Sequence, residues 1–187
     1  MKLGAKELRV SEPSEADLTK IKRREIYIIC DNVLDTYNIG SIFRLADAVA
    51  AKCVYLCGQS ETPPNSRIAK ASVGTDKWVP WQYVSTAVEA VSSIKYQVSG
   101  IKIIAIEQSK KSVDFRKVDC KEPVAFVVGN ETEGVSKEAL ALADQIVEIP
   151  MFGVNRSLNV MVSLAIVLYR TIQGTTSIRS TTGTKGS

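Results

Sequence analysis

The sequence predicts an α/β fold, with one domain built on a mainly parallel β-sheet flanked by helices. Short apolar runs typical of buried strands alternate along the chain with longer helix-like segments. Residues 124–128 are apolar throughout, as expected of a central parallel strand. At 187 residues, the chain has the length of a single ordinary domain.

The predicted elements follow one another from residue 26 onward. In chain order they are a strand at 26–30, a helix from about 39 to 51 with Asn38 as a suitable N-cap, a strand at 53–57, a loop at 59–77 with a short helix near Arg67, a helix at 86–98, strands at 101–106 and 124–128, a helix at 136–143 that Ser136 could cap, a strand at 145–149, and a long helix from about 157 to 173.

The two ends of the chain differ from this pattern. Residues 1–24 form a basic extension with seven basic and four acidic side chains, a net charge of +3, and Ser14 could cap a short helix there. Residues 174–187 are mostly Gly, Ser and Thr, and we predict that they are disordered because they have little apolar surface to bury. The predicted domain therefore covers residues 25–173.

Composition narrows the function classes. No apolar run is long enough to cross a membrane and the first residues lack the apolar core of a signal peptide, so we expect a cytoplasmic protein without a membrane partner. The chain has no histidine and no C-x-x-C pair, which predicts that it binds no metal. Cys30, Cys53 and Cys57 lie in apolar strand-like runs and are expected to be buried and reduced.

Two segments near the C-terminal end join a predicted strand to a helix through glycines and small polar residues. They are Val128-Gly129-Asn130-Glu131-Thr132-Glu133-Gly134-Val135-Ser136 and Ile149-Pro150-Met151-Phe152-Gly153-Val154-Asn155-Arg156-Ser157-Leu158-Asn159-Val160. Such connections form ligand sites at the carboxyl ends of strands in α/β proteins. The chain contains neither G-x-G-x-x-G nor a P-loop, which disfavours an ordinary dinucleotide or Rossmann methyltransferase site.

Together with Asn38-Ile39-Gly40-Ser41-Ile42-Phe43-Arg44, these segments resemble the three ordered motifs of the SpoU (TrmH-like) family of RNA 2'-O-ribose methyltransferases, which belong to the SPOUT class. The resemblance extends from about residue 26 to residue 172. It implies a SPOUT domain with a C-terminal trefoil knot, S-adenosyl-L-methionine as cofactor and tRNA or rRNA as substrate. It also implies a homodimer formed through the C-terminal helix, where we expect Leu164 and Leu168 at the interface.

The resemblance further implies the site residues. The cofactor is expected among three loops, at Gly129, Asn130, Glu131, Gly134, Ile149, Met151, Gly153, Ser157, Leu158 and Asn159. Arg44 is the expected catalytic residue, which clamps the nucleotide phosphate and stabilises charge on the 2'-oxygen, because a guanidinium pKa above about 12 suits a base poorly. The residues expected to position the reactants are Asn38, Glu131, Ser157 and Asn159.

Several assignments have alternatives. Arg44 could be a surface arginine paired with Asp35 or Asp47, although we expect it on one helix face with Asn38, where Gly40 permits close approach. Ser157 could simply cap the last helix. A less defined family segment is matched by Lys70, Ser72, Gly74 and Trp78, and is expected to shape a loop over the substrate.

Two other functions remain open for the whole chain. One is an RNA-binding protein that has the SPOUT fold and no catalytic activity. The other is a nucleotide-binding α/β protein whose motifs match by chance and whose cofactor would lie at the end of the strand at 26–30. Residues 95–121 carry seven basic and three acidic side chains, a net charge of +4, and could contact RNA phosphates.

Overall fold

The computed structural model describes residues 4, 7, 12–118 and 120–173. Its regular elements, in chain order, are α1 (Glu15–Leu18), β1 (Arg24–Asp31), α2 (Thr36–Ala48), β2 (Ala51–Cys57), α3 (Ser66–Ser72), β3 (Trp81–Val84), α4 (Ala87–Gln97), β4 (Lys102–Ile106), β5 (Val113–Asp114), β6 (Val124–Gly129), α5 (Lys137–Leu142), β7 (Gln145–Glu148) and α6 (Val160–Gln173). Single 3₁₀ turns occur at Thr75–Lys77 and Phe115–Lys117.

Seven strands form one sheet in the order β3-β2-β1-β6-β4-β7-β5, and every described strand pair is parallel. The predicted α/β class with a mainly parallel sheet is confirmed. The last two strands are inserted between earlier ones, since β6 lies between β1 and β4 and β7 lies between β4 and β5. The carboxyl ends of β6, β4 and β7 are therefore neighbours at one edge of the sheet.

Helices cover both faces of the sheet, as a parallel sheet requires. Alternate residues of β1 point to opposite faces. Ile26, Ile28 and Cys30 pack in one apolar cluster with residues of α2, α3 and α6. Tyr27 and Ile29 pack in a second cluster with residues of α4 and α5. Cys30, Cys53 and Cys57 are buried thiols, as predicted.

The start and orientation of α2 differ from the prediction. The helix begins at Thr36, and Asp35 caps it by accepting a hydrogen bond from the backbone N–H of Tyr37 (2.8 Å). Asn38 therefore lies inside the first turn, where it is buried. Six residues at about 3.6 per turn place Arg44 about 120° around the helix axis from Asn38. The prediction of one shared face was wrong, because Arg44 points to solvent on the side that carries Tyr37.

Gly40 permits a close approach between two helices of the chain. A Cβ atom at Gly40 would lie 2.6 Å from the Cβ of Ala71 and 2.6 Å from the carbonyl oxygen of Ile68, both in α3. The family segment around Ser72 belongs to this contact: Ser72 is buried, and the indole N–H of Trp78 donates to Asp47 in α2 (2.7 Å). The segment packs against α2, and its expected role in shaping a loop over the substrate stays a prediction.

Helix α6 is capped by Asn159. The side-chain oxygen of Asn159 accepts hydrogen bonds from the backbone N–H groups of Met161 (2.9 Å) and Val162 (3.4 Å), so the alternative of Ser157 as the cap was wrong. Leu164 and Leu168 are fully buried against the sheet of their own chain, which corrects their assignment to a dimer interface. They share an inward stripe at helical spacing. The outward face carries Val162 and Tyr169.

Two edge strands, β3 and β5, were not predicted from the sequence. Both are short, four and two residues long, and only partly buried, so they lack the apolar runs that marked the other strands. Helix α1, capped by Ser14, matches the short helix expected in the N-terminal extension. The predicted disordered tail at 174–187 lies outside the described residues. None of the helices described here is long and apolar enough to cross a membrane.

Candidate functional site

A cleft of about 560 Å³ lies at the carboxyl ends of β6, β4 and β7 and extends to the first turns of α2 and α6. This volume is within the range of small-molecule sites, about 300–1,000 Å³. The lining residues come mainly from the loops that follow these three strands: Asp35, Asn38, Ile106, Glu107, Gln108, Val128, Gly129, Asn130, Glu131, Thr132, Glu133, Gly134, Val147, Glu148, Ile149, Met151, Asn155, Arg156, Ser157, Leu158, Asn159, Val160 and Ser163.

Three side chains connect the sequence motifs at one end of the cleft. The amide nitrogen of Asn38 donates to the Glu131 carboxylate (2.9 Å), and the amide oxygen of Asn38 accepts from the amide nitrogen of Asn159 (2.8 Å). Since Asn159 also caps α6, the chain of hydrogen bonds runs from the loop after β6 through α2 to α6. These hydrogen bonds hold Asn38, Glu131 and Asn159, which are far apart in sequence, next to one another.

The Glu131 carboxylate is surrounded by donors. Besides Asn38, the backbone N–H groups of Leu34 and Asp35 each donate to it at 3.1 Å. Partial burial raises the pKa of this carboxyl, but the hydrogen bonds from Asn38 and the backbone outweigh burial and keep the pKa below its usual value. Glu131 is therefore ionised at neutral pH, and in that form it joins the β6 loop to the start of α2.

The loop after β6 makes a very tight turn. Asn130 and Gly134 exchange two backbone hydrogen bonds (3.0 and 2.9 Å), and the Asn130 side chain accepts from the backbone N–H groups of Thr132 and Glu133. A Cβ atom at Gly129 would lie 2.1 Å from the carbonyl carbon of Gly134, so only glycine fits there. Gly134 itself has a φ of +72°.

Two residues at the end of β4 line the cleft and were missed by the sequence analysis. The Glu107 carboxylate accepts from the backbone N–H groups of Gln108 and Val135, both at 2.8 Å, and so holds the β6 loop. The side-chain amide of Gln108 donates to the carbonyl oxygen of Arg156 (2.5 Å) in the loop after β7. A polar pair directly after an apolar strand was the one signal that could have indicated them.

The structure brings most of the predicted site residues together. Nine of the ten predicted cofactor residues line the cleft, and the exception is Gly153. Arg44 is also absent from its lining and is exposed on α2. Among the described residues Arg44 forms no ion pair; Asp35 instead caps α2 and Asp47 accepts from Trp78. The roles of Arg44 and Gly153 stay predictions.

Part of the basic surface is neutralised by nearby carboxylates. In the stretch at 95–121, Lys95 pairs with Asp144 and Arg116 pairs with Asp114. Lys110 and Lys111 are exposed in the loop after β4 and take part in none of the ion pairs found among the described residues. Within this stretch, these two lysines are the basic residues nearest in sequence to the cleft residues Glu107 and Gln108.

The cleft fits an adenosyl ligand with a positively charged sulfur. The tight turn from Gly129 to Gly134 lines the cleft, and Ile149, Met151 and Leu158 add apolar side chains. Five carboxylates and one guanidinium line it, which makes the cleft acidic: Asp35, Glu107, Glu131, Glu133, Glu148 and Arg156. Its centre lies over β6, β4 and β7, which disfavours the alternative of a Rossmann-like site at the end of β1.

Comparison with known proteins agrees with this geometry. The sequence profile of the SpoU rRNA Methylase family matches residues 25–169. A tRNA (guanosine(18)-2'-O)-methyltransferase from Aquifex aeolicus is 36% identical over 149 residues, which make up 79% of this chain and 69% of that protein. The Escherichia coli protein of the same name is 36% identical over 151 residues, 79% of this chain and 63% of that protein.

A solved structure with cofactor is also similar. The AdoMet-bound rRNA methyltransferase from Sinorhizobium meliloti superposes with a TM-score of 0.74 at 29% identity, and the match covers 91% of this chain and 61% of that one. The chain thus spans between three fifths and seven tenths of the length of these three relatives. The similarity includes the cleft and all three motifs, since the family profile extends over both.

Proposed function

Since the chain belongs to the SpoU rRNA Methylase family, we propose that it transfers a methyl group from S-adenosylmethionine to a ribose 2'-hydroxyl in tRNA or rRNA. One observation carries the proposal. The hydrogen-bond chain through Glu131, Asn38 and Asn159 joins the three motifs at the end of an acidic cleft of suitable volume. The three similar proteins described above are named as tRNA or rRNA methyltransferases.

Residues of the three loops would hold the cofactor. The tight turn from Gly129 to Gly134 presents backbone groups to the ligand, and Ile149, Met151 and Leu158 provide apolar contacts. When bound, S-adenosylmethionine supplies a methyl group on positively charged sulfur, which is already activated for attack by an oxygen nucleophile. The protein's contribution is to orient the two reactants and exclude water. Asn38, Glu131, Ser157 and Asn159 are the proposed positioning residues.

Arg44 is the proposed catalytic residue. Its guanidinium is exposed and has no carboxylate partner among the described residues, so it is available for a phosphate of the substrate RNA. The planar guanidinium can bind a phosphate through two parallel hydrogen bonds and stabilise charge on the attacking 2'-oxygen. Lys110 and Lys111 are proposed to contact neighbouring phosphates.

The assembly is part of the proposal. We infer a homodimer through α6, supported by the apolar side chains of Val162 and Tyr169, which are 37% and 41% exposed. The insertion of β7 between β4 and β5 is compatible with the trefoil knot implied by the resemblance. The buried thiols of Cys30, Cys53 and Cys57 support a reducing, cytoplasmic location.

The proposal is tested by methyl transfer. The purified protein is incubated with S-adenosylmethionine carrying a labelled methyl group and, separately, with bulk tRNA and bulk rRNA. The expected result is label in RNA that nuclease digestion releases as a 2'-O-methylated nucleoside. Label on a base would refute the ribose specificity.

Absence of transfer would contradict the proposed function, and two binding measurements would then identify the alternative. Binding of RNA without binding of S-adenosylmethionine would favour an RNA-binding protein that has the fold and no activity. Binding of NAD in place of the methyl donor would favour a different nucleotide-binding enzyme. Both titrations use the unmodified chain.

A further inference from the structure

The end of β4 occupies the middle of the cleft. In the sheet, β4 lies between β6 and β7, whose loops hold the predicted cofactor residues. Neighbouring strands are about 4.8 Å apart, so a ligand that contacts both loops must cross the end of β4. The residue at that point is Glu107, which lines the cleft. None of the three sequence motifs contains it.

The Glu107 carboxylate is fixed in position and has acceptor capacity left. One oxygen accepts from the backbone N–H of Gln108 and the other from that of Val135, both at 2.8 Å. A carboxylate has about four acceptor positions, so each oxygen can accept a further hydrogen bond. The carboxylate also lies against Gly134, where a Cβ atom would be 2.1 Å from the Oε2 atom of Glu107. The Glu107 carboxylate therefore occupies space that is free only because residue 134 is a glycine.

The middle of an adenosyl ligand is its ribose. The ribose joins the adenine to the methionine part and carries two adjacent hydroxyl groups, which are paired donors. A carboxylate at the carboxyl end of a parallel strand is suited to accept both, as an acidic residue does for a ribose in dinucleotide-binding folds. The other cleft carboxylates are less suitable. Glu131 lies against α2, and Glu148 accepts from Ser112 (2.6 Å).

We propose that the Glu107 carboxylate binds the ribose diol of the adenosyl cofactor and is thus a further binding residue of the site. This inference rests on the proposed function, because it needs an adenosyl ligand in the cleft. Gln108 does not contact the ribose in this proposal. It supports the site indirectly, because its side chain donates to the carbonyl oxygen of Arg156 and so holds the loop after β7.

Calorimetric titration with two ligands tests the proposal. S-adenosylhomocysteine and its 2',3'-dideoxy analogue differ only in the two ribose hydroxyls. We expect the unmodified protein to bind the first at least about tenfold more tightly, because hydrogen bonds to a charged acceptor are strong. In Glu107→Gln this preference should fall to about threefold or less. The control Glu133→Gln removes a different carboxylate of the same cleft and should keep the preference.

The outcomes separate the inference from the proposed function. An unmodified protein that binds both ligands equally well would overturn the inference, whether or not any variant folds. Equal weakening of both ligands in Glu107→Gln would also overturn it, since Glu107 would then only hold the loop at Val135. Failure of the unmodified protein to bind S-adenosylhomocysteine would contradict the cofactor of the proposed function itself.

Discussion

At the level of single residues, the site depends on side chains that each make two contacts. The Asn38 amide donates to Glu131 and accepts from Asn159, and Asn159 in turn caps α6. An amide suits this position because it is both donor and acceptor without a charge. Aspartate at position 38 would place a second carboxylate against Glu131, and an apolar residue would leave the Asn159 amide without this partner.

Replacement of Arg44 tests its catalytic role. We expect Arg44→Ala to slow methyl transfer by about 10²- to 10³-fold, because a donor to the developing oxyanion and the phosphate is lost. The affinity for S-adenosylhomocysteine should change by less than about threefold, since Arg44 is outside the cleft lining. Single-turnover methyl transfer and calorimetry measure the two quantities.

Arg44→Lys serves as the matched control for charge. It keeps the positive charge without the planar fork, so we expect an intermediate rate. A large loss of cofactor affinity in Arg44→Ala would mean that Arg44 acts in the cofactor site. An unchanged rate would mean that it is an ordinary surface arginine.

The lowered pKa of Glu131 predicts a dependence of stability on pH. The folded state favours the ionised carboxylate, so this stabilisation is complete above the usual glutamate pKa of 4.5 and is lost as pH falls through the lower folded value. We expect the melting temperature of Glu131→Gln to fall less steeply than that of the unmodified protein between about pH 5 and pH 3. Thermal melts in a pH series measure both slopes, and parallel slopes would contradict the prediction.

At the level of elements, the start of α6 is determined by one cap. Asn159 satisfies the first backbone donors of α6 and fixes the helix to α2 through Asn38. Ser157 lies three residues before the first residue of the helix, and its hydroxyl makes no hydrogen bond in the described part of the chain. Its backbone N–H donates to the side chain of Asn155 (3.2 Å). The two polar residues of this motif therefore have different structural roles.

Alanine substitutions distinguish these two residues. Asn159→Ala removes the cap and the bond to Asn38, so we expect a loss of about 1–2 kcal/mol in the free energy of unfolding. That loss corresponds to a decrease of several degrees, about 2–8 °C, in melting temperature for a chain of this size. Ser157→Ala, the control, should change the melting temperature by less than about 1 °C. A larger decrease in melting temperature for Ser157→Ala than for Asn159→Ala would assign the cap to Ser157.

At the level of the whole molecule, α6 faces both the core and the surface. Leu164, Val167 and Leu168 are buried against the sheet, whereas Val162 and Tyr169 are 37% and 41% exposed. The loop before the helix carries Phe152 and Val154, which are 92% and 100% exposed. Several exposed apolar side chains on one helix and the loop before it are typical of a surface that another chain covers.

If the chain dimerises through this face of α6, charged substitutions on the face should disrupt the dimer. We expect Val162→Glu combined with Tyr169→Glu to convert a dimer into a monomer, because burial of two unpaired carboxylates is unfavourable. Sedimentation or light scattering measures the mass. Tyr96→Glu is the control, since Tyr96 is 93% exposed on α4, on the other face of the sheet. A stable dimer of the double variant would exclude this face of α6 as the interface.

Much of the fold could be predicted because the signals were local. The apolar runs of β1, β2, β4, β6 and β7 and the glycines after β6 are visible in the sequence. The motifs identified the family for the same reason, since each is a short contiguous segment. Edge strands β3 and β5 were missed because their side chains are only partly buried and leave no apolar pattern.

The sequence by itself determined the α/β class, the family and ten residues of the cleft. Only the tertiary structure decided that Glu107 lies in the cleft, that Leu164 belongs to the core and that Asn38 contacts Glu131. The physical reason is that strand order arises from pairing between distant segments. A one-dimensional pattern shows that β4, β6 and β7 are strands, but the position of β4 between the other two follows from how the sheet assembles.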